Sequence, residues 1–558
     1  MNQFDTHEVF NQAPPFENVN LFDCDAALRE ALEREGGGGA AAALSALGAQ
    51  LGRAETLDLA RQANVNGPRL QAYDRAGRRI DEVEFHPAWQ QLMTLLIGAG
   101  AHASPWDGSQ TQVARAAQYL LFGQLENGAQ CPVTMTYAAV PALRQAPPHI
   151  AARWLPKILS RHYDPRSLPV EHKRGALVGM GMTEKQGGTD VRSNTTRAEP
   201  VAADEAARLF GGADADGLHR VVGHKWFFSA PQCDAHLILA QRGGADGGLS
   251  CFFLPRYLPD GSRNHIRVQR LKDKLGNRSN ASAEVEFTGA YAWLVGAPGR
   301  GVPTIIEMAS HTRLDCVLGS AGIMRAALTH ALHHARGRAA FGRPLAQQPL
   351  MQNVLADLAL ESEAATAFAL RLARCFDEAA DPAQALLGRL LTPAGKYWIC
   401  KRGPGFGAEA MEVMGGGGYV EDGPLARLYR EFPVNSIWEG SGNVMCLDLL
   451  RALGRTAAAR EVLAAELALA GEVDADFAAF AARLLADLAQ PQADEYGARV
   501  LAERVVLAVQ AALLLRHAPP CVSAAFVASR LAREPGGAYG RLPAGVDCAA
   551  ILARALSA

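Results

Sequence analysis

The amino-acid sequence predicts an α+β fold: a helical N-terminal domain, a central antiparallel β-barrel or sandwich, and a C-terminal helical bundle with an additional helical extension. The 558 residues are too many for one hydrophobic core. The middle of the chain is made of short runs bounded by turn residues, whereas the flanking parts space their apolar residues three and four apart. We expect domains over residues 1–174, 175–300, 301–454 and 455–558.

The N-terminal region is predicted to be helical from Asp23 to Leu159, as the apolar spacing from Thr111 to Leu125 illustrates. Residues 36–43 read GGGGAAAA and lack the Lys-Ser/Thr pair of a phosphate-binding loop, so we expect a flexible surface insertion there. The glycines at 98–100 match a dinucleotide-binding fingerprint but follow a helical pattern, which favours a helix end and turn.

The central region predicts a small antiparallel barrel or sandwich. No helix-length segment separates its strand-sized runs, which argues against a parallel α/β sheet. The runs cover residues 176–183, 219–229, 235–241, 250–257, 264–271 and 281–287.

Long helical patterns return after Pro303. Residues 303–336, 348–376 and 384–414 each exceed the average globular helix, which suits a bundle. A further helical region, rich in Ala and Leu, runs from about Arg455 onward.

The composition is that of a globular protein with no global charge bias. It is 49% hydrophobic and 20% charged, with a formal net charge of −2, which excludes wholesale disorder and any overall attraction to nucleic acid or membrane. Ten cysteines without a CxxC pair predict reduced thiols, and the polar, acidic N-terminus resembles no targeting signal, so we expect a cytoplasmic protein without membrane association. His333 and His334 lack ligands at metal-binding spacing, and no metal is expected.

The segment from Gly179 to Asp190, GMGMTEKQGGTD, is a candidate ligand-binding loop after a strand. Backbone amides near Gly187 and Gly188, with the hydroxyls of Thr183 and Thr189, would suit a flat polar heterocycle and a diphosphate. The alternative is an ordinary glycine-rich turn, and this segment alone favours that alternative.

Six segments in matching order resemble the acyl-CoA dehydrogenase family, in particular its AidB-like, adaptive alkylation-response branch. They comprise the T-E-x-x-x-G-T-D loop at 183–190, GHKWFFS at 223–229, KLGNRS at 274–279, R-x-x-F-G at 338–342, MGGGGY at 414–419 and W-E-G-S at 438–441. The long N-terminal lead-in and the C-terminal extension also resemble that branch.

The resemblance implies an FAD flavoprotein that oxidises an acyl-CoA thioester. Glu439 would be the base that removes the α-proton, its backbone N–H would be one oxyanion donor, and Arg313 and Trp438 would contact the substrate. The alternative to a catalytic role for Glu439 is a structural one, in which its carboxylate lies at a helix N-terminus and is stabilised by the helix dipole. The residues implied for FAD binding are Met182, Thr183, Gly188, Thr189, Trp226, Phe227, Ser229, Arg338, Phe341, Gly440, Ser441 and Asn443.

Several departures from the family pattern bear on substrate and assembly. Trp438 stands where many members have Tyr, which should narrow the acyl pocket and favour short or branched chains. Pro349 and Glu412 replace two glutamines near the FAD contacts between subunits. Because the family's equivalent of Arg338 reaches a neighbouring subunit's FAD, the resemblance implies a homo-oligomer, with a dimer of dimers expected.

The extension raises the question of double-stranded DNA, which the AidB-like branch is described as binding. Residues 455–558 hold ten Arg, eleven acidic residues and no Lys, so they lack a uniform basic face. A solvated bundle surface that builds the oligomer is an equal alternative. We therefore expect weak α,β-dehydrogenation of a short or branched acyl-CoA thioester, with a role in the DNA-alkylation response through double-stranded DNA binding. The alternatives are a metabolic dehydrogenase of the isovaleryl-CoA type without a DNA role and a non-catalytic flavoprotein scaffold.

Overall fold

The computed structural model describes residues 4, 6–210, 216–243, 247–471, 473–489, 495–533 and 536–557. About 56% of the chain is helical, and its contacts divide it into two compact units. The first unit holds residues 1–57, 111–125 and 316–558, and the second holds residues 58–110 and 126–315.

The elements of the first 300 residues alternate between short helices and strands. They are α1 (Ala26–Arg34), α2 (Ala41–Leu51), α3 (Ala54–Val65), β1 (Arg69–Tyr73), β2 (Arg79–Glu84), α4 (Pro87–Gly98), α5 (Gln112–Leu125), α6 (Gln130–Leu143), α7 (Pro148–Ile158), β3 (Val178–Gly181), β4 (Arg197–Pro200), α8 (Ala203–Phe210), β5 (Leu218–Ser229), β6 (Ala235–Arg242), β7 (Gly248–Pro255), β8 (Ile266–Leu271) and β9 (Ser282–Val295).

The remaining elements are almost all helical. They are α9 (Gly301–Gly337), β10 (Ala339–Ala340), β11 (Arg343–Pro344), α10 (Pro349–Asp377), α11 (Pro382–Val413), α12 (Gly416–Tyr419), α13 (Leu425–Asn435), α14 (Gly442–Arg455), α15 (Ala457–Ala468), α16 (Ala475–Ala489), α17 (Ala498–His517), α18 (Pro520–Arg530) and α19 (Cys548–Ala555).

Two N-terminal predictions are wrong, the second only in part. The hairpin β1–β2 interrupts the predicted run of helices, because the Asp74 carboxylate accepts hydrogen bonds from the backbone N–H groups of Ala76 and Arg78 and closes a tight turn. The glycine-rich segment 36–43 lies largely at the surface, as predicted, but it has helical structure and is not an irregular insertion. Gly37 is buried beside Leu32 and Val113, and a short 3₁₀ turn leads directly into α2.

The helix end predicted near residue 98 is present. Helix α4 ends at Gly98, and Gly100 adopts a φ of +78°, a left-handed conformation that glycine takes without strain.

The central sheet is a closed five-stranded barrel, which confirms the predicted β-rich domain. Its strands run β6-β4-β5-β9-β7 and back to β6, with β3 added beside β6 and β8 beside β9. The β3–β6 and β4–β6 pairs are parallel and the other barrel pairs are antiparallel. Ala283, Val285 and Phe287 alternate along β9 into the barrel core, and all three are buried.

The long helices predicted after Pro303 are present as α9, α10 and α11, within a few residues of their predicted positions, and α10 and α11 belong to the first unit. The extension is part of the same unit, since α17 packs against α10, α11 and α14. Three buried or nearly buried arginine–carboxylate pairs fasten it: Arg371–Glu466, Arg530–Asp357 and Arg554–Glu363. Of the extension's acidic residues, Glu472, Asp494 and Glu534 lie outside the described residues.

Neither a membrane span nor a metal cluster is found in the part of the chain that the structure describes. No helix there is both long and apolar enough to cross a bilayer, and no three His, Cys, Asp or Glu side chains gather as metal ligands.

Candidate active site

In the second unit, the loop after β3 is organised around one buried carboxylate. Glu184 is fully buried and accepts hydrogen bonds from the backbone N–H groups of Thr195 and Thr196 and from the amide of Gln186. These bonds fold residues 184–196 into a compact turn, which holds the glycines of the loop in place.

A buried ion pair joins this loop to β5. Lys225 donates from Nζ to Glu184 Oε1 at 2.9 Å and to the carbonyl oxygen of Leu239 at 2.8 Å. Burial lowers the pKa of Lys225 to about 8, against the opposing effect of Glu184. Burial would raise the pKa of Glu184, but the Lys225 ammonium and the hydrogen bonds hold it well below its usual range.

The structure brings together the two segments predicted to bind the flavin. The backbone N–H of Trp226 donates to the carbonyl of Thr183 at 2.9 Å, which joins the loop to the strand. The carbonyl of Met182 accepts from Asn194 Nδ2 at 3.0 Å. All seven residues predicted from these segments, Met182, Thr183, Gly188, Thr189, Trp226, Phe227 and Ser229, therefore lie in one region of one unit.

This region presents free hydroxyls and an exposed aromatic ring. The side-chain hydroxyls of Thr183, Thr189 and Ser229 form no hydrogen bond to any described residue, and Phe227 is 51% exposed. A Cβ at Gly188 would lie 2.4 Å from Thr183 Oγ1, so a side chain there would fill the space beside that hydroxyl. The donors suit a polar ligand and the ring suits a flat one.

A cation lies over the neighbouring aromatic ring. Lys272 Nζ is 3.6 Å from the centroid of Trp226 and pairs with Glu284 at 2.7 Å. The cation–π contact orients Trp226 beside Phe227.

In the first unit, Glu439 lies in the turn of residues 436–441 that joins α13 to α14. Its φ is +58°, a left-handed conformation that is unfavourable for a residue with a side chain, and Gly440 follows at φ +107°. The buried Lys396 of α11 donates from Nζ to the carbonyl of Trp438 at 2.6 Å and to the carbonyl of Gly440.

Other predicted residues surround this turn. Trp438 Nε1 is buried and has no hydrogen-bond partner among the described residues. Ser441 is the residue before α14, and its carbonyl accepts the first helical hydrogen bond from Met445 N at 3.0 Å. Asn443 Oδ1 accepts from Arg499 Nε at 2.9 Å. Arg499 belongs to the extension, so the extension contacts the start of α14.

The R-x-x-F-G segment forms the β10–β11 hairpin of the first unit. Phe341 is fully exposed at a φ of +52°, and Arg338 donates to the carbonyl of Asn11 at 3.0 Å. Arg313 is half-buried in α9 and belongs to the second unit. The predicted site residues are therefore divided between the units, and the roles given to them remain predictions.

Sequence reasoning missed Glu184, Lys225 and Lys396 as individual site residues. Each is a charged side chain within a segment that becomes buried, and Lys396 follows the apolar run LLTPAG. A buried charged side chain needs a hydrogen-bond or ion-pair partner. A charged residue within an apolar segment is therefore the sequence signal that could have indicated these three residues.

Three family models match successive parts of the chain. Residues 11–165 match the adaptive response protein AidB N-terminal domain, residues 179–290 the acyl-CoA dehydrogenase middle domain, and residues 299–454 the acyl-CoA dehydrogenase C-terminal domain. The AidB protein of Escherichia coli strain K12 is 51% identical over 522 residues, which is 93% of each chain.

Solved structures share the fold. The Caenorhabditis elegans protein ACDH-11, in complex with C11-CoA, superposes with a TM-score of 0.81 at 26% identity, covering 100% of this chain and 94% of that one. A Bacillus anthracis acyl-CoA dehydrogenase complexed with FAD has a TM-score of 0.63 at 16% identity, over 79% of this chain and 80% of that one.

Fold and sequence together define an FAD-dependent oxidoreductase of the acyl-CoA dehydrogenase class. Within that class, the chain belongs to the AidB-like branch of the acyl-CoA dehydrogenase family.

The residues present fit FAD. The hydroxyls of Thr183, Thr189 and Ser229, which bind no other described residue, offer donors for its polar groups, and the exposed ring of Phe227 offers a flat apolar surface. When bound, FAD supplies the acceptor for a hydride.

Proposed function

We propose that this protein catalyses α,β-dehydrogenation of a short or branched acyl-CoA thioester, with Glu439 as the base. The observation that supports this most is the turn at 436–441, where a carboxylate residue occupies a left-handed position between two carbonyls bound by a buried lysine. Strain of about 1–3 kcal/mol at a single residue is typical of functional sites.

In this reaction the bond from Cα to its proton and the bond from Cβ to its hydride both break, and a C=C bond forms. The Glu439 carboxylate takes the proton from Cα. The developing negative charge on the thioester oxygen needs a donor, and the Glu439 backbone N–H is the one we assign. The buried, unpartnered Nε1 of Trp438 is a further donor directed at no protein group among the described residues.

The test is bleaching of the flavin absorbance of the FAD-loaded protein by acyl-CoA, with a panel from isovaleryl-CoA to an eleven-carbon chain. Glu439→Gln should slow bleaching by about 10²–10⁴-fold, the usual contribution of a general base. Glu461→Gln, an exposed carboxylate of α15, is the matched control. Equal bleaching by wild type and Glu439→Gln would refute the assignment of the base.

A second role in duplex-DNA binding by the extension is a prediction that follows from the likeness to the adaptive-response branch. Four exposed arginines of the extension, Arg455, Arg483, Arg533 and Arg541, form neither an ion pair nor a side-chain hydrogen bond with any described residue. Six others are bound within the first unit: Arg460, Arg499, Arg504, Arg516, Arg530 and Arg554.

A duplex titration at two salt concentrations tests this role. Replacing these four arginines by Gln should reduce the slope of log K against log salt by about one per lost phosphate contact. Unchanged binding by the quadruple variant would place any DNA contact elsewhere, and absence of binding by the wild type would refute the role. Truncation at 455 is unsuitable, since it would expose the faces of α10 and α11 that α17 covers.

We also propose a homo-oligomer, with a tetramer expected. The fully exposed Phe341 and the 83% exposed Leu350 support an interface near the β10–β11 hairpin, because large apolar side chains are seldom left fully in water. Sedimentation analysis of wild type and Phe341→Asp tests it, and an unchanged assembly in the variant would refute an interface at this residue.

A further inference from the structure

We infer that Lys396 is a positioning residue for the dehydrogenation: its ammonium group orients and polarises the peptide group whose N–H is the oxyanion donor assigned above. This inference rests on the proposed function. Lys396, which lies outside the family motifs, would thereby help to stabilise the negative charge on the thioester oxygen.

The first observation is the geometry of the two hydrogen bonds. Lys396 Nζ binds the carbonyl oxygens of Trp438 and Gly440, which are the residues on either side of Glu439. Lys396 Nζ thus holds both the peptide group between Trp438 and Glu439 and the one between Gly440 and Ser441. Holding both fixes the backbone of Glu439 in its left-handed conformation, at a φ of +58°.

The peptide bond between Trp438 and Glu439 is planar, so its carbonyl and its N–H keep a fixed relative direction. The carbonyl of Trp438 and the N–H of Glu439 belong to one peptide plane and, in the trans form, point in opposite directions. When Lys396 fixes the carbonyl, the direction of the N–H is fixed as well. An ammonium bound to the oxygen also draws electron density from the nitrogen, so the N–H becomes a stronger donor.

The second observation is the burial of the charge. Lys396 is 1% exposed and forms no ion pair with any described carboxylate. A buried ammonium costs several kcal/mol, whereas each hydrogen bond to a charged group returns about 1.5–3 kcal/mol. For stability alone, an apolar residue at position 396 together with a glycine at position 439 would serve as well or better. The presence of a buried lysine and a left-handed glutamate therefore favours a role in function.

The experiment compares three variants in the FAD-loaded protein. Lys396→Met removes both the charge and the donors, and Lys396→Gln keeps a donor but removes the charge. Lys401→Met is the matched control, because Lys401 is an exposed lysine of the same helix. Rapid bleaching by acyl-CoA gives the rate and the apparent affinity. Exchange of the α-protons of a β-thia acyl-CoA in D₂O reports proton removal without hydride transfer.

Loss of one oxyanion donor typically costs about 10²–10³ in rate. We expect Lys396→Met, which weakens the donor without removing it, to slow bleaching and α-proton exchange by about 10–100-fold. The apparent affinity should change less than about threefold, and Lys396→Gln should be intermediate. Wild-type rates in Lys396→Met, or an equal loss in Lys401→Met, would overturn the inference. If Lys396→Met does not fold, a wild-type rate in Lys396→Gln overturns it and a slowed rate supports it.

Hydrogen exchange separates this inference from the proposed function. The amides of residues 436–441 should exchange faster in Lys396→Met than in Lys401→Met, whether or not any acyl-CoA is oxidised. If no acyl-CoA bleaches the wild type, the proposed function fails and so does the assigned role of Lys396 in it. Unchanged exchange at these amides would additionally show that Lys396 does not hold the turn.

Discussion

Replacing Lys225 by Met tests the buried ion pair that joins the loop after β3 to β5. In the wild type, Glu184 accepts hydrogen bonds from Gln186, Thr195 and Thr196 in addition to Lys225. The variant keeps those neutral donors but leaves a fully buried carboxylate without a counter-ion. Removing one partner of a buried pair costs about 3–5 kcal/mol, and we expect the free energy of unfolding to fall by that amount.

The reverse variant should be milder. In Glu184→Gln, the Lys225 ammonium loses its counter-ion but can release its proton, because burial already lowers its pKa to about 8. We expect a cost of about 1–3 kcal/mol near neutral pH. The double variant should cost less than the sum of the two, with a coupling of about 2 kcal/mol.

Urea denaturation at pH 7, followed by tryptophan fluorescence, measures these differences. Arg208→Met is the control, because it removes one partner of the exposed Arg208–Asp204 pair of α8 and should cost less than about 1 kcal/mol. FAD retention after gel filtration gives a second readout, and Lys225→Met should lose the cofactor more readily. A Lys225→Met variant as stable as the control would refute the reasoning.

Three further outcomes are expected. Arg554→Ala should lower the free energy of unfolding by about 3 kcal/mol, because it leaves Glu363, whose pKa burial already raises, without its ion-pair partner. Chemical denaturation measures this loss, and a loss below about 1 kcal/mol would contradict the prediction. Gly181→Ala should cost about 1–3 kcal/mol, seen as a lower melting temperature, since its Cβ would lie 2.5 Å from the Phe228 ring, and an unchanged melting temperature would count against the barrel packing. Burial lowers the pKa of His236 to about 3, so below its unfolded value of 6.5 the unfolded chain binds a proton that the folded chain does not. Stability should therefore fall by about 2 kcal/mol between pH 6.5 and about pH 5, and His236→Phe should remove that part of the pH dependence.

Long periodic segments could be predicted from the sequence because their signal is summed over many residues. Helices α9, α10 and α11 are 37, 29 and 32 residues long, and the predicted ranges fall within a few residues of them. Strand β5 was predicted from an apolar run between turn residues and extends from Leu218 to Ser229.

Short polar elements could not be predicted. Strand β4 is four residues, RAEP, three of them exposed, and its place in the barrel depends on pairing with β5 and β6, which lie farther along the chain. The hairpin β1–β2 is similar, since its burial pattern is only partial and its turn depends on Asp74.

The motifs predicted the segments of the candidate site, but they predicted neither the Glu184–Lys225 ion pair within those segments nor Lys396, which lies outside them. Glu439 stands within a recognisable motif, but Lys396 lies 43 positions earlier in the middle of a helix. The link between them consists of two hydrogen bonds to backbone carbonyls. Every residue has a backbone carbonyl, so the sequence does not indicate which carbonyls a lysine binds.

The order of the two units along the chain has a consequence for synthesis on the ribosome. The second unit is complete once residue 315 has emerged, whereas the first unit gathers residues 1–57 and 111–125 together with residues 316–558. Glu30 near the N-terminus meets Arg554 of the last helix, so that contact waits for roughly 240 more residues, or about 12–50 s of translation. During that interval the early helices α1 and α2 expose apolar faces, and we expect them to depend on chaperones more than the barrel does.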